Sequence, residues 1–135
     1  MNPEDAVLDA NAEFYRAFAD KDLPAMKRLW SRSQLVACIH PGWHALFGRH
    51  DVMASWEAIL TSEQTPRVEC PDATAIVLGD SALVVCTESL GGGELVATNL
   101  FVREGDAWKM VHHQAAPFSR DASDAGDREP DRSLN

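Results

Sequence analysis

WKMVHHQAAPF spans residues 108–118, and its alternating pattern predicts a β-strand that carries two adjacent histidines. A Gly105-Asp106 turn separates this stretch from a second alternating segment, so the two segments predict a β-hairpin that closes the fold. Neighbouring residues of a strand point to opposite faces. His112 and His113 therefore cannot serve one site together, and the face that each occupies decides which of them can do chemistry.

The turn also predicts the register of the hairpin. If Glu104 lies opposite Ala107, then Asn99 lies opposite His112. One face then carries Asn99, Phe101, Trp108, Met110, His112 and Gln114, and the other carries Thr98, Leu100, Val102, Lys109, Val111 and His113. A one-residue bulge would exchange the two faces.

Both faces of the hairpin are rich in apolar residues, which indicates that both are covered. Helices of the same chain are expected on the first face, together with any pocket. A second copy of the chain is expected on the other face, which predicts a homodimer through the outer face of the sheet.

Composition narrows the possible functions. The 135 residues are expected to form one domain, and the net charge of −9 leaves no basic stripe for nucleic acid. No apolar run approaches the roughly 20 residues that span a bilayer, so no membrane partner is expected. The acidic N-terminus is unlike a signal peptide. Cys38, Cys70 and Cys86 lie far apart, which predicts reduced thiols in a cytoplasmic protein.

The rest of the chain predicts three helices followed by strands. The predicted helices are 3–20, 22–30 and 49–61, and the predicted strands are 34–40, 67–78, 81–90, 95–103 and 108–116. This order predicts an α+β fold with the helices on one face of a mainly antiparallel sheet. Residues 119–135 are polar and are predicted to be a disordered acidic tail that follows a domain of residues 1–118.

Four local motifs resemble those of the nuclear transport factor 2-like superfamily. They are Phe14-Tyr15-Arg16-Ala17-Phe18 before Lys21-Asp22-Leu23, His40-Pro41-Gly42-Trp43, Gly48-Arg49-His50-Asp51-Val52, and the hairpin from Gly105 to His113. The hairpin resembles that of SnoaL-like domains and is similar to the association domain of calcium/calmodulin-dependent kinase II. The resemblance covers residues 4–118 and implies a cystatin-like cone, with three helices on a curved sheet, a pocket at the wide end and a dimer on the sheet's outer face. This fold hosts enzymes, ligand carriers and assembly modules alike.

Two histidines are the candidate catalytic residues. His112 is expected beside Asn99 on the inner face, where it could move a proton or polarise a carbonyl because histidine titrates near neutral pH. His40 ends a strand that the resemblance places near the pocket mouth. Each also has a purely structural explanation, as a buried histidine bonded to an amide or as a loop anchor bonded to the backbone.

The expected substrate-binding residues are Asn99, Tyr15, Trp43, Trp56 and Gln114. Aromatic residues at helical spacing pack a core by default, although in a cone some of them also line the pocket. Tyr15 could in addition donate a hydrogen bond to a ligand. Glu88 is the one carboxylate inside the strands that could turn inward, and the following three glycines leave its register open.

Neither a cofactor nor a metal is expected. The chain has no glycine-rich phosphate loop, and Pro41-Gly42 prevents the helix that would align His40 with His44. Two hypotheses remain. The first is a homodimer with an apolar small-molecule pocket; if it is an enzyme, it is a cofactor-independent isomerase, dehydratase or cyclase acting on a small carbonyl compound. The second is a non-catalytic association module.

Overall fold

The computed structural model describes residues 1–118, which form three helices and six strands. The helices are α1 (Pro3–Ala19), α2 (Leu23–Leu29) and α3 (Arg49–Thr61). The strands are β1 (Ala37–Ile39), β2 (Leu46–Phe47), β3 (Ala73–Leu78), β4 (Ser81–Ser89), β5 (Glu94–Glu104) and β6 (Ala107–Pro117). The α+β prediction is confirmed, and the predicted tail 119–135 lies outside the described residues. None of the three helices has both the length and the apolarity to cross a membrane.

All six strands form one sheet in the order β2-β1-β6-β5-β4-β3. Neighbouring strands are antiparallel except β1 and β6, which are parallel. The strand predicted over 67–78 is regular only from Ala73 onwards, and before it Glu69 forms a single bridge with Ser89. Pro71 lies in this gap and has no N–H to donate to a ladder. The two-residue β2 was not predicted.

Helix α1 covers one face of the sheet and brings polar groups into the core. Its start is capped by the Asn2 side chain, which accepts a hydrogen bond from the Asp5 backbone N–H at 2.8 Å. Its buried residues are Val7, Asn11, Phe14, Tyr15 and Ala17. This spacing of three and four residues defines a single helical face. Asn11 and Tyr15 are therefore adjacent on that face, one turn apart, and both are buried.

A β-bulge makes the predicted register wrong beyond the first residues of β6. Phe101 pairs with Met110 as predicted, but Leu100 pairs with His112, so Val111 is an extra residue with no partner on β5. Asn99 consequently lies opposite His113 rather than His112. The bulge exchanges the faces of every later residue of the strand, because side chains alternate with a period of two.

The bulge places three residues of β6 on the face opposite to the one predicted. His113 is buried on the inner face at 1% exposure, whereas it had been expected at the dimer face. His112 lies on the outer face, where its ring Nδ1 is 3.0 Å from the Ala37 backbone oxygen. Gln114 is exposed on that same outer face. The prediction that His112 and Gln114 face the interior is therefore wrong.

Candidate functional site

A cavity of about 230 Å³ lies between the helices and the inner face of the sheet. Its lining combines apolar walls with three groups that can exchange protons, and consists of Phe18, His40, Pro41, Trp43, Ile59, Thr65, Pro66, Val68, Glu88, Leu90, Leu95 and His113. The cavity thus collects residues from α1, α3, β4, β5, β6 and the loop after β1. Apolar walls with a few convergent polar groups are typical of small-molecule sites.

Glu88 is the only carboxylate that lines this cavity within the described chain. It lies on β4 opposite Leu95 of β5, and that register turns its side chain inward, where it is 2% exposed. The Tyr15 hydroxyl donates a hydrogen bond to Glu88 Oε2 at 2.7 Å. Burial raises the pKa of the Glu88 carboxyl, and the Tyr15 hydrogen bond opposes that rise only in part. Among residues 1–118 no lysine or arginine forms an ion pair with Glu88.

His113 lies beside Glu88, with its Nε2 atom 3.8 Å from Glu88 Oε2. Its other ring nitrogen, Nδ1, is 2.6 Å from Asn99 Oδ1. Burial, and to a lesser degree the nearby His40 and His112, lower the pKa of His113 to about 3. The imidazole is therefore neutral near pH 7, and it can accept a proton but does not carry one as a cation.

Asn99 connects the groups of this network. Its Nδ2 donates to Asn11 Oδ1 at 2.8 Å and to the Tyr15 hydroxyl at 3.2 Å. Its Oδ1 faces His113, so one buried amide orients both the imidazole and the phenol that contact Glu88. Burial raises the pKa of Tyr15, and the charge of Glu88 adds to that rise. Tyr15 therefore acts as a neutral hydrogen-bond donor.

His40 is the third protonatable group of the cavity. Its Nε2 is 2.9 Å from Ser55 Oγ, and Ser55 in turn donates to the Val52 backbone oxygen at 2.6 Å. Ser55 has one hydroxyl proton, so it accepts from His40, which places the His40 proton on Nε2. Burial lowers the pKa of His40 to about 4. This histidine is also neutral near pH 7.

Aromatic rings enclose the site on the side of the helices. The ring centroid of His40 is 4.9 Å from that of Trp43 and 4.9 Å from that of Trp56, with both pairs in edge-on geometry. Trp56 is fully buried and lies 5.7 Å from the His113 ring, whereas Trp43 is 45% exposed. Trp43 therefore stands at the cavity's boundary with solvent, and Trp56 packs behind its wall.

The structure brings together four of the five predicted substrate-binding residues and one of the two predicted catalytic histidines. Tyr15, Asn99, Trp43 and Trp56 lie in or directly around the cavity with His40. His112 and Gln114 do not, because they lie on the opposite face of β6. No catalytic or binding role follows from position alone, so those roles stay predictions.

His113, Asn11 and Ser55 belong to the buried hydrogen-bond network but were not predicted as site residues. The sequence assigned His113 to the wrong face, because a bulge leaves no mark in an alternating pattern. Asn11 did carry a signal, since it is a polar residue within the apolar stripe of an amphipathic helix. Ser55 carried none. Among residues 1–118 no group of three or more potential metal ligands gathers at one point. The cavity thus holds one carboxyl group, that of Glu88, and two neutral imidazoles, those of His40 and His113.

Comparison with known proteins places this geometry in a family. The family model of the SnoaL-like domain matches residues 7–119. A protein proposed to be a dehydratase of the nuclear transport factor 2-like family, from Streptomyces avermitilis, is 34% identical. Its structure matches with a TM-score of 0.77 over 85% of this chain and 95% of that one.

Two other relatives have different functions in their names. A protein proposed to be a calcium/calmodulin-dependent protein kinase type II association domain, from Thiobacillus denitrificans, is 32% identical with a TM-score of 0.69, over 82% of this chain and 93% of that one. The F-box protein SKIP8 of Arabidopsis thaliana is 33% identical over 113 residues, which are 82% of this chain. The chain spans 49% of that protein's length. These matches confirm the resemblance to the nuclear transport factor 2-like superfamily.

Proposed function

The chain belongs to the SnoaL-like domain family, and we propose that it is an enzyme that moves protons on a small, uncharged carbonyl compound. The observation that carries the proposal is the position of Glu88, which is buried at the wall of an apolar cavity and forms no ion pair with a lysine or arginine of residues 1–118. Enzymes that catalyse proton transfer near neutral pH raise the pKa of a carboxyl group in this way. The relative from Streptomyces avermitilis, itself proposed to be a dehydratase, supports this class of chemistry.

The proposed reaction needs only groups of this chain. Glu88, as the carboxylate, takes a proton from the carbon next to the substrate's carbonyl group, and then returns it to another atom of the same substrate. Tyr15 holds the carboxyl in place through its hydrogen bond at 2.7 Å. His113, rather than the predicted His112, is the second group that can accept a proton. His40 stays a candidate for positioning the substrate. Such a cycle leaves the enzyme unchanged and supports isomerisation, dehydration or cyclisation.

The proposal is tested by hydrogen exchange at the carbon next to a carbonyl group. A panel of small cyclic ketones is incubated with the protein in deuterium oxide, and loss of the proton signal is followed by NMR. The wild-type protein is expected to accelerate exchange for at least one ketone above the rate in buffer. If every ketone exchanges at the buffer rate, the proposed proton transfer is wrong.

A second function, self-association, is favoured by the outer face of the sheet. Residues aligned across all six strands form one outer row, which we define as Phe47, Ala37, His112, Leu100, Leu83 and Ile76. Phe47 and Ile76 are 64% and 46% exposed. Exposed apolar side chains on a sheet face are characteristic of protein interfaces. The relative named as an association domain supports this role, and a dimer is compatible with catalysis on the inner face.

Replacing Val85 with glutamate is expected to separate the dimer. Val85 lies on the outer face, two residues from Leu83 along β4, and is 40% exposed. A charge buried at the interface should raise the dimer dissociation constant at least about tenfold, since burying an unpaired charge is costly. Analytical ultracentrifugation measures the dimer dissociation constant. The matched control is Ala54→Glu, at an exposed position of helix α3. A monomeric wild-type protein, or a Val85→Glu variant that remains as dimeric as the control, would contradict the proposed interface.

The predicted cytoplasmic location is kept as part of the proposal. The three cysteines of residues 1–118 are free thiols, with Cys38 and Cys86 buried and Cys70 half-buried. Free thiols are the common state in a reducing compartment.

A further inference from the structure

We propose that the gap between Glu88 Oε2 and His113 Nε2 binds one uncharged hydroxyl group, so that the cavity selects small neutral hydroxyl compounds. We call this gap the seat. This inference rests on the proposed function and narrows it, because a hydroxyl in this seat is placed to leave as water. The ligand class follows from the proton positions, the spacing of the two groups and the charge of the walls.

Asn99 determines which nitrogen of His113 carries the proton. Asn11 Oδ1 lies 2.8 Å from the Asn99 Nδ2 atom, so that nitrogen must be the end of the amide that donates. Asn99 Oδ1 is therefore the acceptor that faces His113 at 2.6 Å, which requires the proton on Nδ1. Because burial keeps the ring neutral, Nε2 is left with a lone pair. The buried amide pair of Asn11 and Asn99 thus presents a proton acceptor beside Glu88.

The gap itself is too wide for a direct hydrogen bond. Nε2 of His113 and Oε2 of Glu88 are 3.8 Å apart, and the His113 ring makes no hydrogen bond through Nε2 among the described residues. An oxygen placed to one side of the line between these atoms lies within about 2.8 Å of both. A hydroxyl fits both partners, because it donates its proton to Nε2 and accepts a proton from the Glu88 carboxyl in that group's acid form.

The walls limit the ligand's charge and size. Within residues 1–118 neither lysine nor arginine lines the cavity, and both of its histidines are held neutral. A carboxylate or phosphate would therefore lose its hydration without gaining a counter-charge. The volume of about 230 Å³ is moderately larger than the roughly 150 Å³ that accommodates benzene, so it suits one ring with a few substituents.

A hydroxyl group bound in the seat can be eliminated as water with no reactant other than the substrate. Glu88, as the carboxylate, takes the proton from the carbon next to the carbonyl group, and the electron pair of that carbon–hydrogen bond forms the double bond. Glu88 then gives this proton to the hydroxyl oxygen, the carbon–oxygen bond breaks, and water leaves. His113 Nε2 holds the hydroxyl through its hydrogen bond, and the Glu88 carboxylate is regenerated. The substrate yields an unsaturated carbonyl compound and one water molecule, with no oxidant or reductant.

The test uses three probes of similar size: phenol, toluene and benzoate. In ¹⁵N NMR spectra of the wild-type protein, His113 is expected as the Nδ1–H tautomer and His40 as the Nε2–H tautomer, so each histidine is the internal control of the other. Phenol should shift the His113 Nε2 signal and bind about tenfold more tightly than toluene, as expected for two added hydrogen bonds. Benzoate should not bind in the concentration range where phenol does.

A matched pair of variants separates the seat from the rest of the pocket. His113→Phe keeps a ring but removes Nε2, and should reduce the preference for phenol over toluene to within about twofold. His50→Phe, at an exposed position on α3 outside the cavity lining, should keep it. An Nε2–H tautomer at His113, equal binding of phenol and toluene, or tighter binding of benzoate would overturn the inference. If phenol is preferred as expected but no ketone exchanges its protons, the seat stands and the proposed reaction is wrong.

Discussion

Replacing Glu88 with glutamine is expected to lower the rate of ketone proton exchange by about 100-fold or more, the usual contribution of a general base. Glutamine has nearly the same shape, and its carbonyl oxygen can still accept the Tyr15 hydrogen bond that measures 2.7 Å in the wild-type protein. It cannot take up a proton. The loss should therefore appear in the exchange rate while the fold is preserved.

The matched control for this variant is Glu57→Gln, which makes the same change at an exposed position on α3. Its exchange rate should equal that of the wild-type protein. The wild-type rate should also rise as the pH passes upward through the raised pKa of Glu88, because only the carboxylate form is a base. If Glu88→Gln retains most of the activity, another group is the base and the proposed mechanism is wrong.

Acidification below pH 6 is expected to lower the free energy of unfolding steeply, because two histidines that are buried and neutral in the folded protein gain protons when it unfolds. Their folded pKa values, about 4 for His40 and about 3 for His113, are below the ordinary value of 6.5. A depressed pKa gives stability that is complete above the unfolded value and is lost as the pH falls towards the folded one. Glu88 acts in the opposite direction, since its raised pKa favours proton uptake in the folded state. The net loss should be roughly 1.5 to 3 kcal/mol per pH unit between pH 6 and pH 4.

Urea unfolding at a series of pH values measures this dependence. His40→Gln should reduce the slope by about 1.4 kcal/mol per pH unit, because one fewer proton is taken up on unfolding. Ala58→Gln, at an exposed position on α3, is the matched control and should keep the wild-type slope, because it removes no titratable group. A stability that stays flat from pH 6 to pH 4 would show that the two histidines are not held neutral in the folded protein.

The helices and most strands could be predicted from the sequence because their signals are local. The capping residue Asn2 and the regular apolar spacing define α1, and α3 runs over Arg49–Thr61 as predicted. The third strand was predicted too long. Its first half is irregular around Pro71, which has no N–H to donate to a ladder.

The site was only partly predictable, because its geometry depends on one extra residue. The unpaired Val111 reverses the faces of the two histidines, and alternation alone contains no information about such a bulge. Helical spacing and hairpin register predicted inner positions for Tyr15 and Asn99, whereas the family resemblance placed His40 near the pocket mouth. The partnership of Glu88 with His113 depends on contacts between β4 and β6, which are not adjacent in the sheet. No local pattern reports a contact of that kind.

The proposed function depends on Glu88 being a buried acid at the cavity wall, with no lysine or arginine of residues 1–118 paired to it. The most direct measurement is an NMR titration of the Glu88 side-chain carboxyl carbon, assigned by comparison with the Glu88→Gln variant. We expect a pKa above the ordinary glutamate value of 4.5, because burial disfavours the charged form. A Glu88 carboxyl that titrates at or below 4.5 would contradict the proposed function, since burial would then not have made this carboxylate a stronger base.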